Sequence, residues 1–453
     1  MKKRTLVVLA VAIACLAGGA GYGLWLVRWL RTPAFQEALL QRVRGFAGTD
    51  VRVKRVEVSL LSGVTLEGVG VANPPPFAGD LLTAEGFVLK YELWPLLRGR
   101  FEVERLALDR PQLSVLMDSR GGFNYERLGG ARPAVATRGT PGGAAAPSVV
   151  PLRVVLSQLR VDDGALVVTD AARARLLALE GLGVRSSFDV ESGVATGRGD
   201  ATVRTIDVAR RLFVRDVRAP LALTKESFTL SPIRGRAGGG ELRGETTVRF
   251  KNGFRYTARL EVRGAEVKTL LEEARSPALV SGRLEADARF EGAGGLATLR
   301  GSGKGRIDGC RVNDSRSLAL VASILGVPEL ASPDFDECRA EFQQAGARVT
   351  TPVLSAKGQA LALSGHGTLN VETSAIDYEL TLALSPRLFA KVTRPELRGA
   401  FRARPDGFSA IDFRLTGTTL DPKTDLLARL GKSAAKETVK GVIGRLFRKK
   451  QDR

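Results

Sequence analysis

Apolar and charged residues alternate over much of this chain, and the alternation constrains its fold more than any other feature. Within residues 102–118, Leu106 and Leu108 share one face. The chain is predicted to turn at residues 109–111, after which Leu113 and Val115 continue the pattern. A period of two is typical of strands with one apolar and one solvated face, as in antiparallel sheets. The sequence therefore predicts a mainly β protein.

The same alternation returns in the last third of the chain. Its apolar positions include Leu361, Leu363, Leu380, Leu382, Ile411, Phe413 and Leu415. Aromatic residues make up only 6% of the chain and glycine is abundant, with 51 residues. This composition favours many thin strands and turns over thick helical layers.

One stretch of the alternation occurs twice at a constant offset of 53 residues. Leu106, Leu108, Leu113 and Val115 correspond to Leu159, Val161, Leu166 and Val168, and Asp109 corresponds to Asp162. Two hairpins of one kind could produce so short a match by chance. The match nevertheless indicates repeated structural units, with a second turn predicted at Asp162–Asp163–Gly164.

The N-terminus predicts a membrane anchor. A basic cluster at residues 2–4 precedes 23 uncharged, mostly apolar residues from Thr5 to Val27, enough to span a bilayer. A cleaved signal peptide is the alternative, because Cys15 follows a small-residue motif at residues 12–14. The apolar run continues well beyond Cys15, which favours a retained span. The positive charge at residues 2–4 with the amino terminus slightly exceeds that of Arg28 and Arg31 on the other side, which favours a main body outside the cytoplasm.

Net charge indicates the kind of partner. The 68 Lys and Arg against 48 Asp and Glu give a formal charge of +20, which suits an anionic surface. The basic residues are spread along strands, without a recognition helix or an aromatic RNA-binding motif. We therefore expect phospholipid headgroups or acidic envelope polymers, and no nucleic acid.

Cysteine usage leaves two readings open. Cys15 falls in the predicted span, so Cys310 and Cys338 remain. In an oxidising compartment the two could form a disulfide that stabilises the fold by about 3 kcal/mol. Two unrelated buried thiols are the alternative.

The chain divides by composition into six segments. They are the cytoplasmic tip and anchor at 1–31, an N-terminal β region at 32–128, a Gly/Ala/Pro-rich linker or loop at 129–150, a central β region at 151–300, a C-terminal β region at 301–423, and a basic amphipathic helix at 424–453. Short helices are also predicted near residues 35–43, 265–277 and 315–326. The tail helix could lie on an anionic membrane through Lys432, Lys436, Lys440, Arg445, Arg448, Lys449 and Lys450.

Catalytic signatures are missing from the sequence. His366, the single histidine, falls in a predicted strand on the polar face, which indicates an ordinary exposed side chain. The "GSGKG" stretch at 301–305 lies between predicted strands and lacks the helix that a phosphate loop requires. We expect no enzyme activity, no catalytic residue, no metal and no cofactor.

The order of these features resembles the AsmA family of envelope proteins, within the AsmA/TamB group. The resemblance lies in the span followed by "FQEALLQRVRGFAGTDVRVKRVEVSLLSGVTLEGVGVANP", then "LWPLLRGRFEVERLALDRPQLSVLMDSRGGFNYERL" and "SQLRVDDGALVVTD". Towards the C-terminus, "SGKGRIDGCRVNDSRSLALVASILGV" and "LTGTTLDPK" resemble the AsmA-like C-terminal region. The match covers nearly the whole chain, residues 181–300 least distinctively, and depends on order because no single motif is diagnostic.

The resemblance implies an inner-membrane anchor and a periplasmic body, with an elongated, curved, repetitive antiparallel sheet that forms a hydrophobic groove. It further implies phospholipid movement between membranes and a role in outer-membrane integrity. The expected lipid-groove residues are Leu106, Leu108, Leu113, Val115, Leu159, Val161, Leu166, Val168, Leu361, Leu363, Leu380, Leu382, Ile411, Phe413 and Leu415. Two alternatives stay open: an outer-membrane protein assembly factor that acts with envelope protein partners, and a structural envelope protein whose apolar face is covered by helices at 315–326 and 424–448.

Overall fold

The structure is a computed structural model of the 453-residue chain. It describes residues 32, 37, 41, 44–45, 48–59, 63–91, 102–119, 121–128, 154–191, 194–250, 255–293, 296–313, 316–426 and 428–429. These residues are mainly β-strand with a few short helices, which confirms the predicted fold class at that level. None of the helices they form is both long and apolar enough to cross a membrane. The predicted span at 5–27, the linker at 129–150 and the tail beyond 429 lie outside the described residues.

The chain divides into two compact units. Unit 1 comprises residues 1–210 and 216–225, and unit 2 comprises 211–215 and 226–453. The division falls within strand β9 (Leu212–Leu223). Helical residues at Glu37, Gln41, Arg44 and Gly45 precede the first strand, where a helix was predicted.

Unit 1 is built on a β-sheet. Its strands are β1 (Val51–Ser59), β2 (Gly63–Ala72), β3 (Asp80–Tyr91), β4 (Glu102–Asp109), β5 (Gln112–Leu116), β6 (Val154–Thr169), β7 (Arg175–Glu191) and β8 (Val194–Val208), with a 3-10 helix at Asn124–Arg127. The pairs β1–β2, β2–β3, β6–β7 and β7–β8 are antiparallel, and both β4 and β5 pair antiparallel with β3.

Among the described strand pairs of unit 1, the repeated stretch forms the one departure from antiparallel pairing. β4 and β5 both run parallel to β6, and every pair is offset by 53 residues, as in Leu106 with Leu159 and Leu113 with Leu166. The two copies of the repeat are therefore neighbours in the sheet. Parallel strands need a long connection, which the chain between β5 and β6 provides.

The turns predicted at 109–111 and 162–164 are wrong. β6 continues through Asp162–Gly164 as one strand, and β5 continues in the direction of β4. Arg110 and Asp163 have φ of 44° and 50°, so each copy contains a bulge where a hairpin was predicted. The bulges face each other, because Arg110 N–H donates to the Asp162 carbonyl at 2.9 Å.

Unit 2 is an antiparallel meander. Its strands are β10 (Ser227–Ala237), β11 (Gly240–Arg249), β12 (Arg255–Glu266), β13 (Val280–Gly292), β14 (Arg300–Val312), β15 (Asp334–Ala345), β16 (Arg348–Lys357), β17 (Leu361–Asn370), β18 (Ala375–Leu384), β19 (Arg402–Ala403), β20 (Ser409–Thr418) and β21 (Pro422–Thr424). Each strand from β10 to β17 pairs with the next, and β20 pairs with β18, β19 and β21. Its helices are α1 (Val267–Glu273), α2 (Arg316–Leu325), α3 (Pro386–Phe389) and α4 (Pro395–Arg398), with 3-10 turns at Leu296–Thr298 and Pro328–Leu330.

Cys310 and Cys338 form a disulfide between β14 and β15. Their Cα atoms are 6.0 Å apart, and Cys310 is buried in the core of unit 2. The bond closes the base of the connection that carries α2. That connection is therefore tied to the sheet at both ends.

Candidate functional site: the apolar sheet faces

Alternation gives the sheet of unit 2 two chemically different faces. In β12, Tyr256, Ala258, Leu260 and Val262 lie on one face, and the intervening positions are occupied by charged residues and a threonine. Directly paired residues of neighbouring strands point to the same face, so the register extends this division across the sheet. We call the side with Leu260 the apolar face of unit 2.

Continuous rows of paired residues cross this apolar face. One row comprises Ile233, Gly244, Leu260, Ala288, Gly303 and Phe342. The next comprises Leu242, Val262, Ala286, Gly305, Ala340, Leu354, Gly365, Leu380 and Phe413. The rows hold only apolar side chains and glycines over many strands.

Glycines in β14 leave space that aromatic rings occupy. Gly301, Gly303 and Gly305 all lie on the apolar face, and a Cβ at Gly301 or Gly303 would be 2.5 Å from a ring carbon of Phe290 or Phe342. The two rings are 6.2 Å apart between centroids. They lie over the neighbouring glycines, and they are only partly buried. The "GSGKG" stretch is thus the middle of a strand in a smooth apolar surface.

Helices cover the apolar face of unit 2 at one end. There Leu361, Leu382 and Ile411 are buried in a core to which α2, α3 and the following turns contribute Leu325, Val327, Leu388 and Val392. Leu363 and Phe413 pack against this core, and Leu380 is also buried. We call this region the capped end, and the partly buried rows of β10–β17 the open part.

Unit 1 also has an apolar face. A row there comprises Leu66, Phe87, Leu108, Val161 and Val184, and a second comprises Leu82, Leu113, Leu166, Leu179 and Ile206. The pairs Leu106 with Leu159 and Val115 with Val168 extend it. The eight groove residues expected in this unit are therefore brought together in pairs, and each is partly buried or exposed.

The opposite face of unit 2 is covered by ion pairs. Arg259 lies 3.2 Å from Glu245, and Arg306 lies 3.2 Å from Glu285. Hydrogen bonds from Arg243 to Glu241, and from Arg339 to Glu337, hold the pKa of each carboxyl below its ordinary value. Exposed pairs of this kind add little stability, but they keep this face hydrated.

The remaining predicted features contribute no site. His366 Nε2 is 3.6 Å from Glu379 Oε2 on the polar face, and its side chain is exposed, as predicted. Among the described residues there is no group of His, Cys, Asp and Glu that could hold a metal ion. The seven membrane-surface candidates between Lys432 and Lys450 lie outside the residues that the structure describes.

Sequence reasoning missed the open part of the apolar face in unit 2. Leu260, Phe290 and Phe342 were not among the expected groove residues, although the alternation at 255–262 and 283–292 is as regular as that near residue 361. Glycine at every second position of 301–305 is the sequence signal that could have identified these residues, because it lies between two stretches of alternating apolar and polar residues. No protein-family model, no curated protein and no solved structure matches this chain.

Proposed function

We propose that this chain carries phospholipid, holding acyl chains against its apolar sheet faces while the headgroups remain in water. The observation that carries the proposal is the open part in unit 2, where rows of apolar side chains and glycines, most of them partly exposed, cross β10–β17. Soluble proteins rarely leave a large contiguous apolar surface exposed unless it binds something.

The dimensions of the open part suit a lipid tail. The seven strand spacings from β10 to β17 correspond to about 34 Å at about 4.8 Å each. One leaflet of hydrocarbon is about 15 Å thick, half of a bilayer core. An acyl chain laid across these strands would contribute about 0.8 kcal/mol for each buried methylene.

The proposed location is a body in the periplasm, anchored to the inner membrane by residues 5–27. The Cys310–Cys338 disulfide supports an oxidising compartment, and the formal charge of +20 suits contact with anionic headgroups. The role that follows is to supply lipid for the outer membrane and maintain envelope integrity. The resemblance to the AsmA family points in the same direction.

Site-specific photo-crosslinking tests the proposal on the full chain in cells. A photoreactive phenylalanine analogue at Phe342 faces the open part, and the same analogue at Gln343 faces the charged side of the same strand. We expect a phospholipid adduct, identified by mass spectrometry, at position 342 and little at 343. Equal labelling at the two positions, or no lipid at 342, would contradict the proposal.

A structural role is the second candidate, and the capped end favours it. There Leu361, Leu382 and Ile411 already pack against helices, so this part of the face serves as an ordinary core. If protein adducts replace lipid at position 342, an assembly factor becomes the better reading. If neither protein nor lipid adducts appear at position 342, the structural role is the better interpretation.

A further inference from the structure

Large hydrophobic side chains emerge from unit 1 at one end of its sheet. Tyr125, Leu176 and Val208 are 41%, 39% and 40% exposed, and Leu113 on the adjoining strand is 37% exposed. We call this end the rim, formed by residues 73–79, 117–119, 121–128, 170–176 and 208–210. A single exposed hydrophobic residue needs no explanation, whereas a cluster at one end indicates a binding surface.

Arginines accompany these hydrophobic residues on the rim. The exposed ones are Arg127, which pairs with Asp118 at 2.9 Å, and Arg173 and Arg210. Two neighbouring carboxylates bind backbone: Asp170 accepts from Ala174 N–H at 2.7 Å, and the buried Asp207 accepts from Arg210 N–H at 2.7 Å while also pairing with Arg175 at 3.6 Å. The guanidinium groups of Arg173 and Arg210 thus belong to exposed residues, whereas Asp170 and Asp207 accept hydrogen bonds from backbone in the turns. This distribution favours an anionic partner.

Two of these arginines lie on backbone with positive φ. Arg173 has φ of 62°, and Ala209 and Arg210 have φ of 52° and 56°. Positive φ in a tight turn is usually assigned to Gly or Asn. The chain places arginine there despite the conformational cost.

A buried network fixes the aromatic part of the rim. Asn124 is completely buried, donates to Asn73 Oδ1 and the Ser114 carbonyl, both at 2.7 Å, and accepts from Leu116 N–H at 3.0 Å. The ring of the next residue, Tyr125, stacks on Phe123 at 5.4 Å. The exposed tyrosine is therefore presented rigidly.

The N-terminal segment joins the sheet at this same end. Ala72 N–H donates to the Asp50 carbonyl at 2.9 Å, and Arg44 donates to the Val51 carbonyl at 3.1 Å while pairing with Asp50 at 3.2 Å. The helical residues that follow the predicted span are thus held beside the rim. The bilayer that contains the span would be near it.

We propose that the rim docks on the anionic phospholipid surface of the bilayer that holds the chain's own N-terminal span. Tyrosine is typical of the membrane interface, and arginines there bind headgroup phosphates. Docking at these strand ends would open the end of the apolar face of unit 1 to the bilayer, where lipids can enter. The inference extends the proposed function and depends on the predicted span.

The test uses the full chain reconstituted in nanodiscs, with Cys15→Ser and the disulfide intact. An environment-sensitive fluorophore at Ala172→Cys reports on the rim, and the same probe at Arg198→Cys, on β8 away from the rim, is the control. In discs of phosphatidylglycerol and phosphatidylcholine, we expect a blue shift and quenching by spin-labelled lipid at 172 only. Discs of phosphatidylcholine alone should reduce both.

Charge removal supplies the second arm. At about a fivefold effect for each arginine near an anionic surface, Arg173→Gln with Arg210→Gln should lower the ratio of docked to undocked chains about 30-fold. The matched pair Arg185→Gln with Arg204→Gln removes the same charge elsewhere in unit 1 and should change little. Equal effects of the two pairs would overturn the proposal.

Other outcomes also decide the inference. A probe at 172 that stays as hydrated as the one at 198, or a chain that does not enter the disc through its N-terminal segment, overturns it. Binding of a second copy or another protein at the rim, without lipid quenching, does so too. Lipid adducts at Phe342 without rim docking would refute the rim alone, and docking without adducts would refute the acyl-chain proposal alone.

Discussion

Single Leu→Ala substitutions at two positions on the apolar face of unit 2 should differ in their stability cost, because one lies in the capped end and the other in the open part. Leu384 on β18 is completely buried and packs under α3, whereas Leu369 on β17 is partly exposed between Val349 and Ile376. Leu→Ala removes three carbon groups, worth about 2.4 kcal/mol at full burial. At Leu384 a cavity adds to this, for a total of about 3–4 kcal/mol. At Leu369 half the burial and no closed cavity leave about 1 kcal/mol.

Native-state hydrogen exchange measures this difference directly. Peptides from β17 and β18 report the local free energy of opening in each variant, without requiring the two units to unfold together. Leu384→Ala should lower that free energy by about 2–3 kcal/mol more than Leu369→Ala. Equal costs would refute the division into capped and open parts, because they would place Leu369 in a closed core. Added phospholipid should raise protection around Leu369 and leave Leu384 unchanged.

Three further predictions follow from contacts in the two units. Asn124→Ala should destabilise the segment that carries the rim by about 3 kcal/mol, because it leaves buried backbone groups unpaired. Hydrogen exchange at residues 117–128 measures this loss, and a much smaller loss would contradict the prediction. Replacing Cys310 and Cys338 by serine should cost about 3–4 kcal/mol through loss of a closed loop, measured as stability of β14–β15 with and without reductant. The hydrogen bond from Arg414 lowers the pKa of Asp377, so its stabilisation is complete at neutral pH and is lost as pH falls through the depressed pKa; Arg414→Gln should return the NMR titration midpoint to the ordinary range.

Much of the fold could be predicted from the sequence because period-two alternation depends on local residues alone. It identified the strands containing Leu106, Leu363 and Ile411 and their apolar sides. Which strands lie side by side depends on pairing over long distances. The 53-residue repeat was visible, but its parallel register was not, and its bulges resemble turns because both use residues such as Asp and Gly.

The candidate site was only partly predictable for a related reason. Alternation identifies an apolar face but not what covers it, since Leu361 and Leu260 show the same local pattern. Coverage depends on where α2 and α3 pack, which is decided by tertiary contacts at the ends of β14 and β18. Small residues gave the better clue: glycines at 301, 303 and 305 have no side chain to fill a core.

The distribution of bulk across the apolar face of unit 2 argues for a ligand rather than a missing second layer. At the capped end, large aliphatic side chains from both the sheet and the helices interdigitate, as Leu384, Leu388 and Val392 do. At Gly301, Gly303 and Gly305 of β14 the face has no side chain, and rings from the neighbouring strands lie over two of these glycines. A packed protein layer needs side chains that interlock, because interiors are as dense as organic crystals. A surface of glycine with rings lying over it provides no such interlocking, but it suits a flexible chain that must bind and move across the strands.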